Sequence, residues 1–140
     1  MSIEVIAYIL AALGLVVVVL TRVRLRKKNA AGQAQVPSLI LNGHTLFGIL
    51  GLAAWTTYLV APEDTTAGSP AVGIAGLSCL WIVVVCGLLI LLRWLPIRGR
   101  HAAVRPEDSW SDGPGLSVLA HVGMFVGVAI DSIAYALGTI

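Results

Sequence analysis

Residues 3–28 read IEVIAYILAALGLVVVVLTRVRLRKK. The run to Leu20 is apolar except for Glu4. Arg22, Arg24, Arg26, Lys27 and Lys28 then follow within a few positions. About 20 helical residues, at roughly 1.5 Å each, cross the roughly 30 Å hydrocarbon core of a bilayer. The order of the two parts matters. A secretory signal peptide carries its positive charge before the apolar run and a small-residue cleavage site after it. Here the charge comes second, which reads as a retained anchor with its N-terminus outside the cell.

The other four cations, Arg93, Arg98, Arg100 and Arg105, form a second cluster. Around and between the clusters lie four apolar stretches, at about 3–20, 38–60, 71–92 and 115–137. The positive-inside rule then assigns loops 21–37 and 93–114 to the cytoplasm. Both termini and the short loop holding Glu63 and Asp64 face outward. The expected fold is an all-α membrane protein. Its four transmembrane helices form an up-down antiparallel bundle, a single domain over 1–140 in the cell membrane. Tyr58 and Tyr135 are expected at the outer interface and Trp94 at the inner one.

Composition agrees with this. The chain of 140 residues is 58% hydrophobic and 11% charged, against roughly a quarter charged for a soluble domain. The net charge of +2 is spent on topology, so no nucleic-acid partner is expected. The expected partners are the lipid bilayer and either other membrane subunits or a second copy of the chain. The outer loop APEDTTAGSP, residues 61–70, is rich in turn formers and ties spans two and three into a hairpin. Pro37 suits the first turn of span two, and Asp112 with Pro114 suits the start of span four.

No HExxH, GxSxG, P-loop or CxxC motif of hydrolytic or transfer chemistry occurs, and the reading leans away from an enzyme. Cys79 and Cys86 are two helical turns apart on one face, roughly 10 Å along the axis. That exceeds the reach of a disulfide, about 7 Å between Cα atoms, so they read as packing residues.

Two of the three histidines are informative. His44 and His121 each lie about six residues from the basic end of a span, and both spans run outward. Their imidazoles are therefore expected at one depth. Spans two and four stand diagonally across an up-down bundle. Ionisable groups inside a membrane usually face the bundle interior. Two facing neutral imidazoles can hold a b-type haem iron. In that reading His44 and His121 are the axial ligands and the only metal-binding residues. Gly48 and Gly51, on the face of His44 with Trp55, shape the pocket, and Arg98 and Arg100 receive the propionates. A faint repeat, Leu41-Asn42-Gly43-His44 against Val118-Leu119-Ala120-His121, fits such symmetry. The competing readings are a quinone or proton-linked site at the same pair, and a purely structural role in which each imidazole hydrogen-bonds a neighbouring backbone or reaches headgroup water.

Gly123 and Gly127 form a GxxxG pair, expected at a helix-packing seam. Asp131 is a carboxylate inside span four, roughly 15 Å along that helix from His121. The function expected from these features is a small integral membrane subunit of a larger complex, accessory or structural in role. The alternatives are a b-type haem electron-transfer protein and a small transporter or channel component using Asp131. In a cysteine-free background, Thr65→Cys should react with an impermeant thiol reagent added outside intact cells. Ala103→Cys should react only after the membrane is opened. Labelling of Thr65→Cys from the cytoplasmic side alone would reverse the topology.

Overall fold

A bilayer core offers no water to backbone N–H and C=O groups, so a crossing segment must satisfy them within itself. The chain does this with helices. In a computed structural model, which describes residues 2–26, 36–94 and 114–140, α1 is Ile3–Arg26 and α2 is Ser38–Val60. Then α3 is Pro70–Trp94 and α4 is Pro114–Ala136. All four are long and apolar enough to cross a membrane.

One boundary differs from expectation. The first helix does not stop near Leu20 but runs to Arg26, its membrane-compatible part reaching Val23. Arg and Leu are good helix formers, so loss of apolarity does not end the helix. The Arg22 guanidinium also donates to Asn42 Oδ1 of α2 at 2.7 Å. Pro37 lies just before α2, where its carbonyl accepts from the Ile40 and Leu41 N–H groups. The loop between α2 and α3 is closed by Thr65. Its hydroxyl donates to the Pro62 carbonyl (2.7 Å) and accepts from the Gly68 N–H (3.1 Å).

Each helix packs beside its neighbours in chain order, and α4 returns to α1. This cyclic order sets α2 across the core from α4. The α2/α3 pair is the most extensive contact and α1/α4 the thinnest. Glycines explain the difference. A β-carbon on Gly76 of α3 would meet the Trp55 backbone nitrogen at 2.8 Å. One on Gly51 of α2 would meet Cys79 Cβ at 3.0 Å and the Leu80 nitrogen at 3.1 Å. The two backbones therefore approach to a distance that side chains would forbid. Cys86 Sγ sits 3.7 Å from the β-carbon position of Gly43, so both free cysteines pack towards α2.

The Gly123–Gly127 pair divides. Gly127 meets Leu10 of α1, at 2.9 Å from a β-carbon position, whereas Gly123 has nothing within 4 Å. Successive turns of a helix drift by about 40° after four residues, which carries Gly123 off the α1 face. Within the bundle Leu52, Trp55, Leu77, Leu80, Val84 and Val128 form the core with Val18.

Gly76→Ala should lower the thermal stability of the detergent-solubilised protein, by about 1–3 kcal/mol, because the added methyl meets backbone that cannot turn aside. Gly123→Ala should leave the unfolding temperature unchanged or slightly higher. Equal effects of the two would refute the α2/α3 contact.

Candidate functional site: a histidine pair in the bundle core

The core face of α2 carries His44, Gly48, Gly51, Leu52 and Trp55, spaced at the three- and four-residue steps of one helical stripe. Close packing of Gly51 and Gly76 sets the rotation of that stripe and so turns His44 inward. Its side chain is 1% exposed, one of the two largest fully buried side chains among the described residues. His121 of α4 comes from the opposite corner. The ring centroids are 6.4 Å apart and the planes are tilted by 43°.

The nitrogens are specific. His121 Nδ1 lies 2.7 Å from the Ser117 carbonyl, one turn earlier on α4. A carbonyl can only accept, so Nδ1 carries the proton and Nε2 is left with a free lone pair. That Nε2 is buried and has no hydrogen-bond partner. A β-carbon on Gly87 of α3 would lie 3.4 Å from His121 Nε2 and 3.5 Å from His44 Nε2. Both Nε2 atoms thus converge on one spot beside Gly87. His44 differs in one respect: its Nδ1 is buried with no partner.

Two imidazoles on opposite sides of one metal ion, each at a bond length of about 2.0 Å, have ring centroids about 6.2 Å apart. The observed 6.4 Å matches that span. The rings border a cavity of about 30 Å³, whose walls include Gly87 of α3, Gly14 and Val18 of α1, and Met124 of α4. Space of that size holds an ion or one or two waters.

Several expected site residues sit elsewhere. Gly48 packs on Val18, and Gly51 on Cys79 and Leu80. Both serve helix contacts rather than facing the imidazoles. Arg98, Arg100 and His101 lie outside the described residues. Conversely, Gly87, Gly14, Ser117 and Met124 were not singled out from the sequence. An isolated glycine in the run VVVCGLLI does signal a close approach, but with 15 glycines in the chain that signal is unspecific.

A second buried group lies towards the other end of the bundle. Asp131 is 3% exposed. The Trp55 indole, 0% exposed, faces its carboxyl. Asp131 Oδ1 and Trp55 Nε1 nevertheless both lack a partner in hydrogen-bond geometry. Tyr58 stacks on Trp55 at 5.4 Å, and Tyr135 meets both rings edge-on. The tyrosine rings are therefore packed inside the helix end, and only their hydroxyls reach the rim, donating to the carbonyls of Ile140 and Pro70.

No protein-family description matches this chain, and no curated protein or solved structure shows significant similarity to it. The class defined by fold and site is an all-helical, multi-pass membrane domain with a buried histidine pair between diagonal helices.

Gly87→Val should disturb this pair selectively. Its β-carbon would stand 2.8 Å from His121 Cδ2, so the ring must turn. In a nitrogen-15 histidine spectrum both imidazoles should shift, while Gly115→Val, with nothing within 4 Å, should move neither.

Proposed function

We propose that this domain is a membrane electron carrier that holds a b-type haem between His44 and His121, and that it works inside a larger membrane assembly. The observation that carries the reading is the convergence of the two Nε2 atoms across the core, at a ring separation that suits one metal ion. The donor set fits: imidazole is a natural iron ligand, and the Ser117 carbonyl prepares His121 for it by holding the proton on Nδ1. The lateral fit is less direct. A cofactor of this kind needs several hundred cubic ångströms, against the roughly 30 Å³ that α1 and α3 enclose with the imidazoles here. Both line the cavity with a glycine, Gly14 and Gly87.

Bound haem would supply reversible one-electron chemistry. The chain would supply the two imidazole nitrogens of His44 and His121, a core of valine and leucine around them, and exclusion of water. One carrier of this size needs a donor and an acceptor, which is why an assembly is part of the reading. The two basic segments, 21–37 and 93–114, take the cytoplasmic side by the positive-inside rule, in the cell membrane. The pair then lies nearer the cytoplasmic surface. Apolar packing of Leu52, Val84 and Val128 in the bundle core favours an electron carrier over a transport path through Asp131.

The small cavity also favours a second reading, a single metal ion held by the same two imidazoles with Met124 on the wall. A soft ion such as Cu(I) suits nitrogen and thioether donors.

Protein purified from a haem-sufficient host should show a Soret band that sharpens on reduction. His44→Ala and His121→Ala should each abolish the low-spin spectrum, and His101→Ala should leave it unchanged. A preparation that stays colourless with added hemin removes the cytochrome reading. Stoichiometric metal in that colourless protein, lost in both alanine variants, would establish the second reading.

A further inference from the structure

We propose that the histidine pair is selective for one monovalent soft ion, Cu(I), and that the Met124 thioether is the third donor that confers the selectivity. The inference rests on the single-ion reading above and names the donor that decides which ion is held.

The Ser117 carbonyl keeps the proton of His121 on Nδ1, so its buried Nε2 presents a lone pair. His44 is 1% exposed and its Nδ1 has no partner. No bond there fixes the tautomer, so His44 Nε2 can present a lone pair as well. Both Nε2 atoms lie beside Gly87, 3.4 and 3.5 Å from its β-carbon position, and the ring centroids are 6.4 Å apart. The cavity between the rings has about 30 Å³, enough for an ion, and Met124 lines it. Met124 follows His121 by three residues on α4, so the two side chains share one side of that helix. The end of the thioether rests on α1. A β-carbon on Gly14 would stand 3.2 Å from Met124 Cε and 3.3 Å from Leu52 Cδ2. Glycine at that position therefore leaves room for the Met124 side chain at the cavity wall.

Coordination number narrows the ion. Zinc takes four nitrogen, sulfur or oxygen ligands in a tetrahedron. Among the described residues, no group of three or more His, Cys, Asp or Glu could hold a metal ion. Cu(I) has a filled d shell and is satisfied by two or three donors, and thioether sulfur favours it.

Charge narrows it in the same direction. Among the described residues no carboxylate lines the cavity, and Asp131 lies roughly 15 Å away along α4. An ion between the imidazoles therefore keeps its full charge in a core of Leu52, Leu80, Val84 and Val128. The cost of placing charge in such a medium rises with its square, so a divalent ion costs about four times as much as a monovalent one. The two thiols take no part. Cys79 packs against Gly51 and Cys86 against Gly43, and neither lines the cavity.

The test uses the full-length protein carrying Cys79→Ala and Cys86→Ala, so that no thiol competes for a soft ion. Its histidines are labelled with nitrogen-15 and its methionine methyl groups with carbon-13. The probes are Ag(I), Cu(I) kept reduced, and Zn(II), each at one equivalent. Ag(I) and Cu(I) should shift the Nε2 resonances of His44 and His121 together with the Met124 methyl, and leave the Met1 methyl in place. Zn(II) should move none of these. In competition with a Cu(I) chelator, Met124→Leu should lose at least about tenfold in affinity, the scale on which even outer partners of a metal site act. Its ion-free histidine spectrum should match that of the parent. If a variant does not fold, the methyl shift in wild-type protein with excess Ag(I) still decides. Shifts of both imidazoles without the Met124 methyl, at unchanged affinity in Met124→Leu, overturn the thioether's role and leave the single-ion reading intact. Zn(II) bound as tightly as Cu(I) overturns the selectivity. Imidazoles that respond to no ion overturn the single-ion reading and this inference with it.

Discussion

The close approach of α2 and α3 orders the rest of the bundle. Lipid tails are as apolar as leucine, so no hydrophobic force presses membrane helices together, and fine packing must do it. Gly51 and Gly76 let each backbone reach the other within van der Waals distance at two levels. That double contact leaves α2 one rotation about its axis. In this rotation His44 and Trp55 point into the core, Leu46 and Ile49 point out, and the site exists.

The bundle is then polar at two levels and apolar between them. Nearer the basic end, the imidazoles of His44 and His121 face each other over Gly87. Towards the other end, Asp131 meets Trp55 under a lid of two tyrosines. In lipid, a buried donor or acceptor without a partner is costly. Yet His44 Nδ1, His121 Nε2, Trp55 Nε1 and Asp131 Oδ1 are all left open. A metal held by the two Nε2 atoms would use the free lone pair of His121, while at the other level the Trp55 N–H and the Asp131 carboxyl face each other. The α1/α4 contact is the thinner one, with Gly127 against the Leu10 side chain rather than glycine against backbone.

The four spans were legible because bilayer thickness and backbone satisfaction act on composition alone. Their boundaries agree closely except at Arg26, where helix propensity outlasts apolarity. The common depth of His44 and His121 also followed from position, since a helix converts residue count into height. Gly48 and Gly51 lie on the stripe of His44, which suggested a pocket, but which helix a stripe faces is a property of the assembled bundle. The pocket glycine, Gly87, is on a helix that carries no histidine.

By itself, the sequence determined that this protein has four apolar helices, confines its cations to two segments and lifts two histidines to one height. Those are consequences of local composition and of a fixed rise per residue. Tertiary structure alone decided that the two imidazoles meet, that Nε2 of His121 is the free nitrogen, and that Gly87 stands beside both. It also decided that Trp55 faces Asp131. These depend on helix rotation and neighbour choice, and in a chain with 15 glycines and few polar residues many rotations share nearly the same hydropathy. Only contacts between helices tell them apart.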